Sequence, residues 1–133
     1  MPNKFLLVPA GMLCLLFTSN VNAETITKTV RSGYNSAIYS FAIYDKRGCR
    51  GGIFPKLSYS KAENGRITLK KIKQVIPKGK RCAGNTFYYA VVYYSPNRGF
   101  RGKDNARFTL TYPRYTNGSG HRANKVKAKL TVR

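Results

Sequence analysis

Side chains able to carry chemistry are few in this 133-residue chain. It holds one histidine, His121, four carboxylates, Glu24, Asp45, Glu63 and Asp104, and three cysteines, Cys14, Cys49 and Cys82. Cleavage of a phosphodiester by general acid–base chemistry needs a base and an acid facing one phosphate. Only His121 with Glu63 or Glu24 offers such a pair, and nothing in their spacing joins them, so a small secreted nuclease is a minor alternative. Serine-nucleophile chemistry would need a strained Gly-x-Ser-x-Gly elbow, which the chain lacks. Segment 48–52 is glycine-bearing, but no helical pattern follows it to complete a phosphate-cradling loop. Ligands for metal chemistry are equally sparse. Calcium sites need several oxygen ligands, and an isolated Asp104 among cations does not supply them. We therefore expect a non-enzymatic protein with no metal and no cofactor.

Charge is the feature left standing. Twenty-five Lys and Arg against four acids give a net charge of +21 and a pI near 10.4. At 42% hydrophobic residues the chain is too apolar for a disordered polycation. Three basic groups are visible: Lys70, Lys71 and Lys73 with Lys78, Lys80 and Arg81; Arg98, Arg101 and Lys103 with Arg107; and Lys125, Lys127 and Lys129 with Arg133. Alternate residues of an extended chain lie about 6.6–6.8 Å apart, inside the Debye length of about 8 Å at physiological salt. Such lysines repel one another unless a polyanion covers them. Lysines on an edge strand also deter edge-to-edge pairing, which accounts for one stripe but not for the whole excess. Candidate binding residues are Lys70, Lys71, Lys73, Lys78, Lys80, Arg81, Arg98, Arg101 and Lys103. The expected partner is an anionic polysaccharide, a lipid headgroup or a nucleic acid. The rival reading is a protein-binding effector or adhesin-like domain, with a host or envelope protein held through a sheet edge or an exposed tyrosine face. Tyr88-Tyr89 and Tyr93-Tyr94 must alternate between sheet faces. If Tyr88, Ala90, Val92 and Tyr94 line the core, Tyr89, Val91 and Tyr93 lie on the other face, packed beneath a loop or free to stack on sugars or bases.

The first 23 residues, Met1 to Ala23, read as a secretory signal peptide: Lys4, an apolar run from Phe5 to Phe17, then Val21-Asn22-Ala23 as a small-residue cleavage site. The apolar run is too short to span a bilayer, for which about 20 residues are needed, and Cys14 follows Leu13 rather than the small residue of a lipoprotein signal. Cleavage would remove Lys4 and leave residues 24–133 as one domain at +20, with no later transmembrane segment. The product would be exported, to the periplasm or the medium. Cleavage also leaves Cys49 and Cys82 alone together in an oxidising compartment, where a disulfide is the default. A metal pair or a reactive thiol is the alternative.

Seven short strands are predicted, at 25–30, 38–44, 56–60, 66–72, 86–94, 106–112 and 124–132. The last alternates Val126, Ala128, Leu130 and Val132 with Lys125, Lys127, Lys129 and Thr131, which puts the apolar set on one face. Phe108, Leu110 and Tyr112 alternate likewise. Segment 86–94 is apolar on both faces, as a central strand should be. Asn64-Gly65 predicts a two-residue hairpin between the third and fourth strands. The sum is an all-β β-sandwich of about seven strands with one bridge, Cys49–Cys82; a small β-barrel is the alternative.

The run Tyr94-Ser95-Pro96-Asn97-Arg98-Gly99-Phe100-Arg101-Gly102-Lys103-Asp104 resembles the Y-x-P-x-x-G-F-x-G-x-D signature of bacterial immunoglobulin-like and cadherin-like domains. The resemblance covers roughly residues 82–133, and it implies an immunoglobulin-like β-sandwich fold, a single-domain secreted protein and no catalytic residues. That pattern carries an aromatic two residues after the Asp. Here the position is Ala106, with Phe108 following, so a bulge or register shift is expected. Phe100 should plug one end of the sandwich, and Asp104 should accept loop N–H bonds.

Overall fold

The structure, a computed structural model, describes residues 23–42, 44–45, 47–114 and 118–133. Residues 1–22 of the expected leader lie outside the described residues. The strands are β1 (Glu24–Val30), β2 (Ser36–Phe41), β3 (Tyr44–Asp45), β4 (Arg50–Gly51), β5 (Lys56–Ala62), β6 (Gly65–Val75), β7 (Thr86–Pro96), β8 (Gly102–Tyr112) and β9 (Arg122–Val132). One sheet has the order β1-β9-β8-β5, with β1 parallel to β9, and the other has the order β2-β7-β6. The pair β3–β4 forms a separate short ribbon. The two main sheets pack face to face. With β2, β7 and β6 in one layer and β5, β8 and β9 in the other, the strand partners are those of an immunoglobulin-like sandwich, with the first strand moved to the edge beside the last.

The core follows from alternation. Val126, Ala128, Leu130 and Val132 of β9 face inward beside Ala106, Phe108 and Leu110 of β8, and Ile67, Val92 and Tyr94 close over them from the other sheet. Tyr39 packs edge-on against Phe108 with ring centroids 5.5 Å apart, and Phe41 lies 5.0 Å from Tyr112. A bulge between Ala37 and Tyr39 lets both Ile38 and Tyr39 turn inward. The expected strand 38–44 is therefore two: β2 stops at Phe41, and Tyr44 folds onto the outer face of β7, 5.3 Å from Phe87.

Three expectations are corrected. Asn64-Gly65 makes no hairpin, because β5 pairs with β8 and β6 with β7, so the dipeptide carries the chain from one sheet to the other. Neither residue has the positive φ that a type I′ turn requires. Gly65 is needed for close approach instead: a Cβ there would meet the Tyr94 ring and lie 2.7 Å from the Ser95 carbonyl oxygen. No bulge follows Asp104. The β8–β9 register is unbroken from Gly102 opposite Val132 to Tyr112 opposite Arg122, and both Ala106 and Phe108 point inward. Tyr88 faces the core side but lies beyond the end of the core, and stays 44% exposed.

Asp104 is 2% exposed. Its Oδ2 accepts the Asn64 N–H at 3.0 Å and the Tyr94 hydroxyl at 2.5 Å. The carboxylate thus ties the β5–β6 crossover to β7 and β8, while Phe100 packs on the core nearby and its carbonyl accepts the Ser32 hydroxyl at 3.0 Å. Burial first, then the hydrogen bond and charge of Asp104, hold the Tyr94 phenol protonated far above its ordinary value of 10.0. A folded-state value raised above the unfolded one gives stability that is complete below about pH 10 and lost as pH rises further. Each unit above that costs about 1.4 kcal/mol for such a group. Thermal melts followed by circular dichroism between about pH 9 and 11 should therefore show a steeper fall for the wild type than for Tyr94→Phe.

The Cys49–Cys82 disulfide is formed, with Cα atoms 5.4 Å apart. It joins the β3–β4 ribbon to the loop after β6, at the end of the sandwich opposite Asp104. Asn85 Nδ2 donates a 2.9 Å hydrogen bond to the Cys49 carbonyl. No helix among the described residues is long and apolar enough to cross a membrane.

Candidate polyanion-binding face

The alternation that buries one face of the four-stranded sheet sends its polar set outward on the other. Because β5, β8 and β9 are antiparallel neighbours, register decides which outward residues stand side by side. Lys61 of β5 pairs with Arg107 of β8, which pairs with Lys127 of β9, which pairs with Thr25 of β1. Three cations thus occupy one cross-strand row, each strand about 4.8 Å from the next. The adjoining rows hold Tyr59, Thr109 and Lys125 on one side, and Asn105, Lys129 and Thr27 on the other. Lys103 lies opposite Thr131 further along.

Like charges directly opposite one another destabilise a sheet; two unit charges about 6 Å apart in water repel by about 0.7 kcal/mol. Of the four acids only Glu63 stands beside this row, one carboxylate against three cations. Asp104 is buried, Glu24 accepts the Tyr39 hydroxyl at 3.2 Å, and Asp45 accepts the Arg47 N–H at 2.9 Å in the β3–β4 ribbon. Glu63 alone reaches the rim, where it helps line a recess of about 350 Å³ with Tyr59, Lys61, Asn105, Arg107 and Lys127. A second recess, about 600 Å³, lies between Tyr59, Arg107, Thr109, Lys125 and Lys127. Tyr59, 49% exposed, borders both. Lysine and arginine donors, threonine hydroxyls, the Asn105 amide and one open aromatic ring therefore share a single face. Such a surface can neutralise repeated anionic groups and stack one ring.

The residues favoured from sequence fall elsewhere. Lys70, Lys71 and Lys73 lie on β6, the sheet's edge, but alternation splits them. Lys70 is on the outer face, its Nζ 4.9 Å from the Tyr93 ring centroid. Lys71 and Lys73 are on the core-side face, where Lys71 Nζ sits 4.2 Å from the Tyr88 ring and 5.4 Å from that of Phe54. Lys78, Lys80 and Arg81 are exposed in the loop beyond β6. Arg98 and Arg101 stand at the opposite end, where Arg98 and Arg66 border a small recess of about 330 Å³. Strands β6 and β7, 11 residues each, separate the two groups by roughly 34 Å. Of the nine residues, only Lys103 joins the cationic face.

Arg107, Lys125, Lys127 and Lys129 belong to the basic groups noted from sequence; Lys61 and Tyr59 belong to none of them. The available signal was the polar-outward alternation of 59, 61 and 63, which becomes informative only once β5 is placed beside β8. His121 is exposed just before β9. Glu63 is at the far end of the sheet, and Glu24 lies opposite Val126, about 17 Å along the strand from His121. Neither carboxylate is brought to the imidazole. Among the described residues, no three His, Cys, Asp or Glu side chains gather as metal ligands.

The site and fold together define an immunoglobulin-like β-sandwich with a cationic sheet face. Comparison with protein-family models, curated proteins and solved structures found no match.

Proposed function

We propose that this protein is an exported, non-enzymatic binding module of the bacterial immunoglobulin-like kind that docks an anionic polymer across the outer face of the β1-β9-β8-β5 sheet. The Lys61–Arg107–Lys127 row carries this reading, because a sheet gains nothing structural from three abutting like charges. The ligand is a chain bearing repeated phosphate, sulfate or carboxylate groups, an acidic polysaccharide or a nucleic acid. Long-range attraction brings it in; lysine and arginine contacts then hold its anionic groups, while Thr25, Thr27 and Asn105 donate hydrogen bonds and Tyr59 stacks on a ring. The disulfide suits an oxidising compartment, which supports export.

Binding driven by counterion release weakens linearly on a logarithmic salt scale. Retention on immobilised heparin and on single-stranded DNA should therefore fall steeply between about 50 and 200 mM salt. A flat salt response, or no retention on either polymer at about 50 mM, would overturn the reading.

A further inference from the structure

The disulfide end carries a second feature that polyanion binding does not use. From Lys70 onward every residue of β6 is exposed, on the core-side face as well as the outer one. The last β2 partner of β7 is Phe41, opposite Ala90, so beyond it residues 72–75 of β6 and 86–89 of β7 continue as a two-stranded ribbon that runs past the core. Apolar side chains emerge from both of its faces: Ile72 on the outer face, Val75 and Tyr88 on the core-side face. Val75 is 56% exposed. Ile53, 47% exposed, joins them from the segment after β4 and helps line the recess that also holds Phe54 and Tyr88. Segments 42–55 and 70–88 contain nine Lys or Arg and one acid, Asp45. The end is braced by the disulfide and by backbone hydrogen bonds from Ile76 N to Asn85 O and from Gly84 N to Ile76 O, both 2.9 Å.

We infer that this end is a membrane-docking tip that places Ile53, Ile72, Val75 and Tyr88 in the headgroup region of a bilayer rich in anionic phospholipid, with Lys71, Lys73, Lys78, Lys80 and Arg81 as a cationic collar. The two-sided exposure selects the occupant. A folded protein partner covers one face of a ribbon, and a soluble polymer does not call for exposed aliphatic side chains. A fluid interface surrounds the tip, takes up apolar groups from both faces and offers phosphates to the collar. Tyrosine is at home at that depth, its ring apolar and its hydroxyl wet.

The chain contains no tryptophan, so Val75→Trp introduces a single indole, excited apart from the tyrosines. The disulfide-bonded protein is mixed with vesicles of phosphatidylglycerol and phosphatidylcholine, and with vesicles of phosphatidylcholine alone. We expect co-sedimentation with the anionic vesicles only, together with a blue shift of the indole emission of the Val75→Trp protein and its quenching by brominated acyl chains. Ile72→Ser with Val75→Ser should lower vesicle partitioning at least tenfold and leave heparin retention and the melting temperature unchanged. Absence of anionic-vesicle binding, an unshifted indole emission from bound protein, or undiminished binding by the serine variant would each overturn the tip. Adding Lys61→Glu, Arg107→Glu and Lys127→Glu to the Val75→Trp protein separates the two readings. That protein should lose heparin and keep the blue shift; loss of the shift there would show adsorption through the sheet face and also overturn the tip.

Discussion

Reversing three charges, Lys61→Glu, Arg107→Glu and Lys127→Glu, should reduce affinity for heparin or single-stranded DNA at about 150 mM salt by roughly 10²- to 10⁴-fold. The three side chains occupy one row across β5, β8 and β9, so a polyanion laid over that row meets all of them together. Each lysine or arginine near an anionic surface contributes about 1 kcal/mol, and reversal both removes the attraction and adds repulsion. Six units of charge therefore change at one place, and about 1.4 kcal/mol is tenfold. The slope of log affinity against log salt should also become shallower, since fewer counterions are released. The matched control is Lys70→Glu, Lys73→Glu, Lys80→Glu, with the same change in net charge at the disulfide end. If that control loses as much affinity as the row variant, net charge rather than the face does the binding. The single variant Arg107→Glu gives a sharper reading. A carboxylate between Lys61 and Lys127 turns two repulsive cross-strand pairs into attractive ones, each worth about 0.2–1 kcal/mol. Its melting temperature should rise while its polyanion affinity falls, measured on the same preparation by calorimetry and by column retention.

Loss of the Cys49–Cys82 bridge should have the largest effect on stability. The bridge closes a sequence separation of 33 residues, for which the chain-entropy treatment gives about 4 kcal/mol. A domain of this size has about 5–15 kcal/mol in total, so Cys49→Ser with Cys82→Ser should lower the melting temperature by roughly 15–25 °C. Both cysteines adopt positive φ, 53° and 66°, a region uncommon for residues with a Cβ. Released from the bridge, each is free to return to negative φ, so the β3–β4 ribbon and the 76–85 loop should separate first. Hydrogen exchange should show that order: amides of residues 76–85 lose protection in the reduced protein at temperatures where those of β8 and β9 keep theirs. An unchanged melting temperature would mean that the bridge fastens a peripheral ribbon without constraining the unfolded chain.

Legibility from sequence varied with the range of the interaction involved. Strand β9 could be read almost residue by residue, because its apolar-polar alternation needs only a period of two and one buried face. The bridge was the default pairing of the two cysteines outside the expected leader. The Asn64-Gly65 signal misled because turn chemistry is local, whereas the choice between a hairpin and a crossover depends on which neighbours compete for each strand; β8 and β7 won. Tyr88 obeyed the alternation and still emerged into solvent, because no period in the sequence marks where the opposing sheet ends.

The amino-acid sequence alone determined the all-β class, the inward-facing set of β8 and β9 and an overwhelming positive charge, since each follows from composition or from contacts a few residues apart. The tertiary structure decided where that charge gathers. Lysines adjacent in sequence on β6 point to opposite sides of a ribbon, while Lys61, Arg107 and Lys127, far apart in the chain, stand in one row. Strand pairing brings distant positions within about 5 Å and the pleat drives near neighbours apart, so a surface patch is written in register rather than in sequence order.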